Sequence, residues 1–184
     1  LRAREDGVFS GGGGFAAAFA LTDPRIEVDL LRRDGDAFGA GDVLARVTGP
    51  ARGVLTAERI GLNFAQRMSG IATLTAAYVA AVAHTTARIV ETRKTTPGLR
   101  RFERHAVRSG GGRNHRFSLY DAVMAKDNHL AVLTARHGSV TEALRAARAA
   151  LPHTAHLEVE IDRLDQLDAC LLYTSPSPRD RTRS

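Results

Sequence analysis

Charged residues suited to binding an anionic small molecule are concentrated between Glu91 and His129. This part of the chain contains the motifs ETRKTTPGLR at 91–100, GGGRNHR at 110–116 and KDNH at 126–129. A guanidinium group binds a carboxylate or phosphate through paired N–H donors, and an ammonium group adds a positive charge at one point. These residue types predict a site for a small molecule with several negative charges. The candidate ligands are Arg93, Lys94, His115, Arg116 and Lys126.

Other common kinds of site are not indicated. The glycines at 110–112 do not extend to the GxGxxG or GxxxxGK(S/T) patterns of phosphate-binding loops, and we expect Gly110 to end a helix. No grouping of His, Cys and Asp has the spacing of a structural zinc site. We interpret Gly11–Gly14 as a loop.

The composition is that of a globular protein, with 43% of the 184 residues hydrophobic and 25% charged. This length allows one compact domain and an incomplete second one. Cys170 is the only cysteine, so no internal disulfide can form, and we expect a reducing, cytoplasmic setting. The apolar run from Phe15 to Leu21 is too short to cross a bilayer, so we predict no membrane segment and no signal peptide.

The formal net charge of +6 raises the question of nucleic-acid binding, because clustered Lys and Arg neutralise backbone phosphates. Part of this excess lies near the end of the chain, in Arg179, Arg181 and Arg183. Few aromatic residues are interleaved with the remaining basic ones, so the sequence offers no stacking surface of the kind that single-strand binders use. We therefore predict no nucleic-acid partner.

Residues 1–55 have the pattern of a small β-rich domain. Apolar and acidic residues alternate from Ile26 to Leu30, which is typical of a half-buried strand, and a second strand is expected at Val43–Val47. The period then becomes helical over 56–85, with Thr56 as candidate N-cap and Gly70 as a candidate division into two helices. The buried stripe of these linking helices would be Ile60, Phe64, Met68, Ile71 and Leu74.

Residues 86–169 alternate between apolar runs and helical patterns. The expected elements are a strand at 87–90, a helix at 96–110, a strand at 120–125, a helix after the capping box Ser139–Glu142, and a strand at 156–161. This alternation implies a parallel sheet with right-handed crossovers, and the carboxyl ends of the strands form the active face of an α/β barrel. Polar groups at or near those ends are Thr92, Arg93, Lys94, Lys126, Glu158 and Glu160.

The wording of these motifs, together with ERIGLNFAQRMSGIAT at 58–73, resembles the quinolinate phosphoribosyltransferases, the decarboxylating enzymes also called nicotinate-nucleotide pyrophosphorylases. The similarity runs in order from about residue 7 to 169. It implies an α/β fold, with a partial N-terminal α/β sandwich domain followed by the first strands of an open α/β barrel of the type II phosphoribosyltransferase kind. The expected segments are 1–55 for the sandwich, 56–85 for linking helices, 86–169 for the partial barrel and 170–184 for a tail.

The resemblance also implies a reaction. Phosphoribosyl pyrophosphate and quinolinate would give nicotinate mononucleotide, carbon dioxide and pyrophosphate, a step of NAD biosynthesis. Mg²⁺ would accompany the pyrophosphate donor as cofactor, with no metal ligand directly assigned in this chain. The family works as a homodimer or higher oligomer with shared active sites, so a second copy of the chain is the expected protein partner.

Carried over position by position, the family pattern implies a clamp around quinolinate. Arg59 would reach across the dimer interface to a substrate carboxylate, and Thr92 would line the pocket. The pyridine dicarboxylate would be surrounded by Arg93, His115 and Arg116. Adjacent carboxylates on a planar ring suit the fork of a guanidinium group, which fixes orientation as well as charge.

The remaining positions belong by resemblance to the donor side of the reaction. Lys94 and Lys126 would lie between quinolinate and the phosphoribosyl donor. Glu160 would serve the ribose or the metal, and Glu158 is the alternative because the two acids share one face of their strand. Lys94, Lys126 and Glu160 are the predicted catalytic residues, and no covalent nucleophile is expected.

Residues 170–184 have no counterpart in the family pattern that we recognise. The sequence CLLYTSPSPRDRTRS resembles a translated vector joint, so we expect a non-native tail on a fragment that lacks the later barrel strands. An unfinished parallel sheet exposes edges and apolar faces, and we therefore expect this chain to be inactive.

Other functions stay open on the sequence alone. A paralogue on the same scaffold could use nicotinate or belong to molybdenum transport, and the set Arg59, Arg93, His115 and Arg116 favours quinolinate over these. A basic binding module and a non-functional gene fragment are alternatives from other classes.

Overall fold

A computed structural model describes residues 1–119 and 121–174, with the backbone alone for 171–174. The chain forms two compact units, one from Leu1 to His115 and one from Arg116 onward. We call them the first unit and the second unit. The predicted tail from 175 to 184 lies outside the described residues.

The β-structure of the first unit consists of two antiparallel pairs. Strands β1 and β3 pair through Gly7↔Phe38 and Val8↔Ala37, and β2 and β4 pair through contacts such as Val28↔Val47. The bounds are Gly7–Val8 for β1, Glu27–Leu30 for β2, Ala37–Phe38 for β3 and Ala45–Thr48 for β4. The two strands predicted near 26–30 and 43–47 are therefore present, each displaced by a residue or two.

The interpretation of Gly11–Gly14 as a loop is wrong, because helix α1 spans Gly12–Thr22. Gly11 precedes it with a φ of 97°, a left-handed conformation that glycine adopts without strain. The carboxylate of Asp34 accepts hydrogen bonds from the N–H groups of Gly11 and Gly12, at 3.1 and 3.0 Å. The helix is thus capped by a residue distant in sequence, which local patterns do not reveal.

Helix α2 is one continuous helix of 31 residues, Ala51–Ala81. It passes through Gly70 without a break, so the predicted division there is wrong. It also begins after Pro50 rather than at Thr56, whose hydroxyl instead donates to the carbonyl of Arg52 at 2.8 Å. A helix is present, as the period predicted, but the predicted buried stripe is wrong except at Met68. Ile60 and Leu74 are 53% and 60% exposed, and small residues dominate the buried face instead. The buried positions are Ala57, Gly61, Ala65, Met68, Ala72 and Thr75.

The core of the first unit lies between α1, α2 and the strands. The rings of Phe15 and Phe19 pack with centroids 5.0 Å apart. A Cβ on Gly61 of α2 would approach the Phe19 ring to 3.0 Å, so the helices meet closely where α2 has no side chain. The core cluster contains Phe9, Phe15, Phe19, Ile26, Leu44, Ala45, Ala57 and Ala65.

Helix α3 spans Arg100–Ser109 and packs on α2. It begins later than the predicted start at Thr96-Pro97 because Gly98 has a φ of 77°, which interrupts a right-handed helix. The strand expected at 87–90 is reduced to one isolated parallel bridge, Val90↔Arg113. Gly110 ends α3, as expected.

The second unit contains a parallel strand pair, as the alternation of strands and helices predicted. Strands β5 (Val123–Ala125) and β6 (Leu157–Val159) pair with Met124 opposite Glu158. Between them lie α4 (Asp127–His137) and α5 (Val140–Ala150), and the Ser139 hydroxyl accepts from the Glu142 N–H at 3.2 Å. The core cluster contains Ala125, Leu130, Leu144, Leu157 and Cys170.

The first residues of the predicted tail belong to a folded element. Helix α6 spans Leu167–Thr174, and the Cys170 side chain is only 4% exposed within the core of the second unit. Burial raises the pKa of the Cys170 thiol, which keeps it in its neutral form. Among the described residues, no helix is both long and apolar enough to cross a membrane.

Candidate active site

The segment after Glu91 forms a tight turn that presents the predicted substrate ligands of the first unit. The Thr95 N–H donates to the Arg93 carbonyl at 3.0 Å, and the Arg100 guanidinium of α3 donates to the same carbonyl at 3.2 Å. Thr92 and Lys94 are exposed, whereas Arg93 is half-buried. The Nε of Arg93 is buried without a hydrogen-bond partner among the described residues.

A buried ion pair joins this segment to the loop that carries His115. Glu91 Oε1 accepts from Nη1 of Arg104 and, at 3.0 Å, from the His115 N–H. Nη2 of Arg104 donates to the His115 carbonyl at 3.0 Å. The structure therefore brings His115 next to the residue that immediately precedes Thr92. Reasoning from sequence missed Glu91 and Arg104, because their partners are 11 to 24 residues away.

A second charged cluster holds the other end of the turn. Arg67 of α2 donates to the Thr96 hydroxyl at 2.7 Å and to Glu103 Oε1 at 2.6 Å, and Glu103 Oε2 accepts from the Thr96 N–H at 3.2 Å. Burial alone would raise the pKa of Glu103, but the hydrogen bonds from Thr96 and Arg67 outweigh it and lower the pKa below its ordinary value. Beside this cluster, the rings of Phe64 and Phe102 pack at 5.0 Å.

The glycine-rich loop lies close against α2. A Cβ on Gly110 would lie 2.3 Å from the carbonyl oxygen of Ala72, and one on Gly112 would lie 2.8 Å from a methyl carbon of Thr75. Gly111 has a φ of 83°, in the left-handed region. Because these glycines lack a side chain, the loop that leads to His115 can pack directly against α2. This role differs from binding phosphate.

Arg59 stands apart from the other candidates of the first unit. It is exposed on α2, and its side chain forms no hydrogen bond or ion pair with any residue that the structure describes. It is therefore available to a group outside the described part of its own chain.

In the second unit, Lys126 and Glu160 meet at the carboxyl ends of neighbouring parallel strands. Lys126 follows β5 directly, Glu160 follows β6 directly, and Lys126 Nζ lies 2.7 Å from Glu160 Oε2. The side chains are 41% and 53% exposed, so both are accessible. Glu158, the alternative to Glu160, lies within β6 and is half-buried.

Arg116 begins the second unit, and its Nη1 donates to the Ala122 carbonyl at 2.7 Å. The structure therefore groups the predicted residues in two sets, each within its own unit. One set is Thr92, Arg93, Lys94 and His115, and the other is Lys126 and Glu160 with Arg116 nearer the start of the unit. Across residues 1–119 and 121–174, no group of three or more His, Cys, Asp or Glu side chains could hold a metal ion.

Two family models match the chain in succession. The model of the quinolinate phosphoribosyl transferase N-terminal domain matches residues 1–69, and that of the C-terminal domain matches residues 71–175. The second match includes Cys170 and the residues of α6, so the family pattern continues beyond the predicted limit at 169.

Curated relatives carry the corresponding enzyme name. The chain is 46% identical over 165 residues to the probable nicotinate-nucleotide pyrophosphorylase [carboxylating] of Bacillus subtilis, covering 90% of this chain and 56% of the relative. It is 49% identical over 173 residues to the nicotinate-nucleotide pyrophosphorylase [carboxylating] of Mycobacterium leprae, covering 91% and 58%. The chain thus spans about half the length of the curated relatives it matches.

Solved structures agree in fold. The crystal structure of NadC from Streptococcus pyogenes superposes with a TM-score of 0.81 at 45% identity, covering 89% of this chain and 58% of that one. The nicotinate-nucleotide pyrophosphorylase of Francisella tularensis gives a TM-score of 0.85 at 33% identity, covering 94% and 60%. The predicted fold class, a partial sandwich domain followed by a partial barrel, is confirmed by these neighbours and by the order of the two domain models. Since those models together match nearly the whole chain, this protein belongs to the quinolinate phosphoribosyltransferase family.

Proposed function

We propose that the protein carrying this chain transfers a phosphoribosyl group from phosphoribosyl pyrophosphate to quinolinate and removes one carboxylate, giving nicotinate mononucleotide, CO2 and pyrophosphate. The observation that carries the proposal is the pairing of Lys126 with Glu160 at the carboxyl ends of β5 and β6. In parallel α/β barrels this end of the sheet is where catalytic residues lie. Membership of the family supports the choice of reaction.

The residues of the first unit are assigned to quinolinate. Arg93 supplies a guanidinium for one carboxylate, and Thr92 and His115 supply neutral or positively charged hydrogen-bond donors beside it. The Arg93 carbonyl is already held by Arg100, so the backbone that directs its side chain is fixed before substrate arrives. Preorganised charge of this kind orients a ligand at little entropic cost.

The residues of the second unit are assigned to the remaining charges of the reaction. Arg116 binds a carboxylate, and Lys126 stabilises negative charge on the departing pyrophosphate. Attack by the pyridine nitrogen on the anomeric carbon expels pyrophosphate and forms a pyridinium ring. That ring accepts the electron pair released when CO2 leaves, and the carbon then takes up a proton. Electrostatic stabilisation therefore supplies most of the catalysis.

Glu160 is the carboxylate assigned to Mg²⁺ or to the ribose. Magnesium is commonly held by one or two carboxylates together with substrate phosphates, so a single accessible acid fits a metal that arrives with the donor. When bound, the ion neutralises charge on the pyrophosphate. The Lys126 ammonium group, 2.7 Å from Glu160 Oε2, keeps this carboxylate at the end of β6.

We further propose that two copies associate through the exposed face of α2, with Arg59 serving the active site of the partner. Leu55 and Leu74 are 70% and 60% exposed. At about 3.6 residues per turn they lie on the same side of the helix as Arg59. Exposed apolar surface is typical of a protein–protein interface, and an interface on this side of α2 would bring Arg59 close to the second copy.

The direct test is turnover by the whole protein. Incubation with quinolinate, phosphoribosyl pyrophosphate and Mg²⁺ should produce nicotinate mononucleotide and CO2 in equal amounts, measured by chromatography and by release from carboxyl-labelled quinolinate. Nicotinate offered in place of quinolinate should react far more slowly. No product, or a preference for nicotinate, would contradict the proposal.

A further inference from the structure

We propose that Glu91 and Arg104 are positioning residues, which fix the backbone of His115 and thereby its imidazole for binding quinolinate. Neither residue is among the predicted substrate ligands, and the inference rests on the proposed function for the identity of the ligand. It concerns the first unit alone, because all three residues lie within it.

The geometry holds His115 from both sides. Its N–H donates to Glu91 Oε1 at 3.0 Å, and its carbonyl accepts from Nη2 of Arg104 at 3.0 Å. The same Oε1 also accepts from Nη1 of Arg104, so the three groups close a ring of hydrogen bonds. With both peptide groups fixed, the direction of the Cα–Cβ bond of His115 is fixed as well.

Two backbone hydrogen bonds also join the segment that contains Glu91 to the segment that contains His115. The Glu91 N–H donates to the Arg113 carbonyl at 3.1 Å, and the Arg113 N–H donates to the Ile89 carbonyl at 2.9 Å. These bonds place the segment before Thr92 alongside the segment that ends at His115. The Glu91–Arg104 ion pair follows these backbone hydrogen bonds. It lies where one segment continues to Thr92 and the other reaches His115, both of which are predicted substrate ligands.

The Glu91–Arg104 ion pair is buried, so its charges need further hydrogen bonds. The side chains of Arg104 and Glu91 are only 9% and 6% exposed, and charges withdrawn from water are tolerated when close pairing is supplemented by further hydrogen bonds. Here the further bonds come from His115. Stabilising the pair and fixing His115 are therefore the same set of interactions.

Two variants separate positioning from simple support of the fold. Arg104→Lys keeps the charge but replaces the guanidinium fork with a single ammonium, which cannot reach Glu91 and the His115 carbonyl with the same geometry. The double variant Glu91→Met with Arg104→Met removes both charges, an exchange that buried ion pairs often tolerate without loss of stability. It leaves the peptide groups of His115 without these partners.

For both variants we expect the KM for quinolinate to rise roughly tenfold or more, with kcat much less affected, because binding energy is lost before the chemical step. The His115 amide should also exchange with deuterium faster than in the wild type. Arg108→Lys, the same exchange at an exposed position of α3, is the matched control and should leave both quantities unchanged.

A purely supporting role predicts a different pattern. Destabilised protein would show less active enzyme at an unchanged KM, and a stable double variant would bind quinolinate as the wild type does. Either result would overturn the inference. If the wild type itself bound no quinolinate, the proposed function would fail, while unchanged amide exchange at His115 in the variants would independently refute the positioning.

Discussion

At the scale of single residues, the two ion pairs of the candidate site differ in burial. The Glu91–Arg104 pair is almost wholly buried, whereas both partners of the Lys126–Glu160 pair are more than a third exposed. Exposed ion pairs contribute little to stability, because water screens them and ordering the side chains costs entropy. The Lys126–Glu160 pair should therefore add little to folding stability, so that its proposed role in catalysis can be tested separately.

Replacing Lys126 with Met should therefore reduce turnover with little change in stability. We expect the free energy of unfolding to change by less than about 1 kcal/mol, measured by urea denaturation, while turnover falls sharply because the pyrophosphate loses a cation. Arg145→Met is the matched control, since Arg145 forms an exposed pair with Glu142 within α5. Turnover near the wild-type value in the Lys126 variant would remove this residue from the active site.

The lowered pKa of Glu103 predicts a pH dependence of stability. A carboxyl group with a lower pKa in the folded than in the unfolded state adds stability that is complete above its ordinary value of 4.5 and is lost as the pH falls through the folded value. We therefore expect the free energy of unfolding to decrease as the pH is lowered below about 5. Denaturation at several pH values should show a shallower decrease for Glu103→Gln.

The control for that measurement is Glu27→Gln, which removes one negative charge from the surface of β2. It should keep the wild-type dependence on acid. An equal loss of slope in both variants would show that general surface charge, and not the cluster of Arg67, Thr96 and Glu103, causes the effect.

At the scale of secondary structure, the contact between the glycine-rich loop and α2 is where an added side chain would be tolerated least, among the glycines that the structure describes. Gly110→Ala should destabilise the protein by roughly 1–3 kcal/mol, because the added Cβ would lie 2.3 Å from a backbone oxygen that cannot move away easily. The same exchange at Gly70 should stabilise it by about 0.5–1 kcal/mol, since nothing lies within 4 Å and alanine is the better helix former. In thermal unfolding, Gly110→Ala should show a lower Tm than the wild type and Gly70→Ala a higher one.

Effects of the same sign at Gly110 and Gly70 would contradict this account of the loop. The contrast also shows what kind of information a sequence carries. The sequence predicted that Gly110 ends a helix and that Gly70 divides one, and only the first of these predictions is correct. It does not reveal which glycine lies against a neighbouring backbone, because that is a property of packing.

At the scale of the whole molecule, the proposed association predicts complementation between inactive variants. Arg59→Ala and Lys94→Ala should each lose activity, because each removes a substrate ligand. If Arg59 serves the partner's site, co-refolded mixtures contain heterodimers with one site free of both changes, and about a quarter of the wild-type activity should return. Activity assays after mixing, with each variant alone as control, provide the measurement.

No recovery in the mixture would show that Arg59 acts within its own chain or not at all. A companion test addresses the surface itself, since Leu74→Lys would place a charge on the exposed face of α2. Sedimentation should then report a smaller species than the wild type. An unchanged mass would move the interface elsewhere.

The sequence by itself determined the family, the order of the two domains and the types of residue in the site. Motif wording identifies a family because charged residues such as Arg93 and Lys126 stand at fixed places beside recognisable turns and strand ends. Periodicity located α2, α5 and the parallel strands, since burial of one face leaves a mark at every turn or every second residue.

Only the tertiary structure decided how those residues are held. Asp34 caps α1 from a distant loop, Glu103 holds the Thr96 N–H, and Glu91 with Arg104 fixes the backbone of His115. Each of these depends on partners many residues apart in the chain. Hydrogen bonds and close backbone contacts of this kind form only after the helices and strands have packed, so no local sequence pattern predicts them.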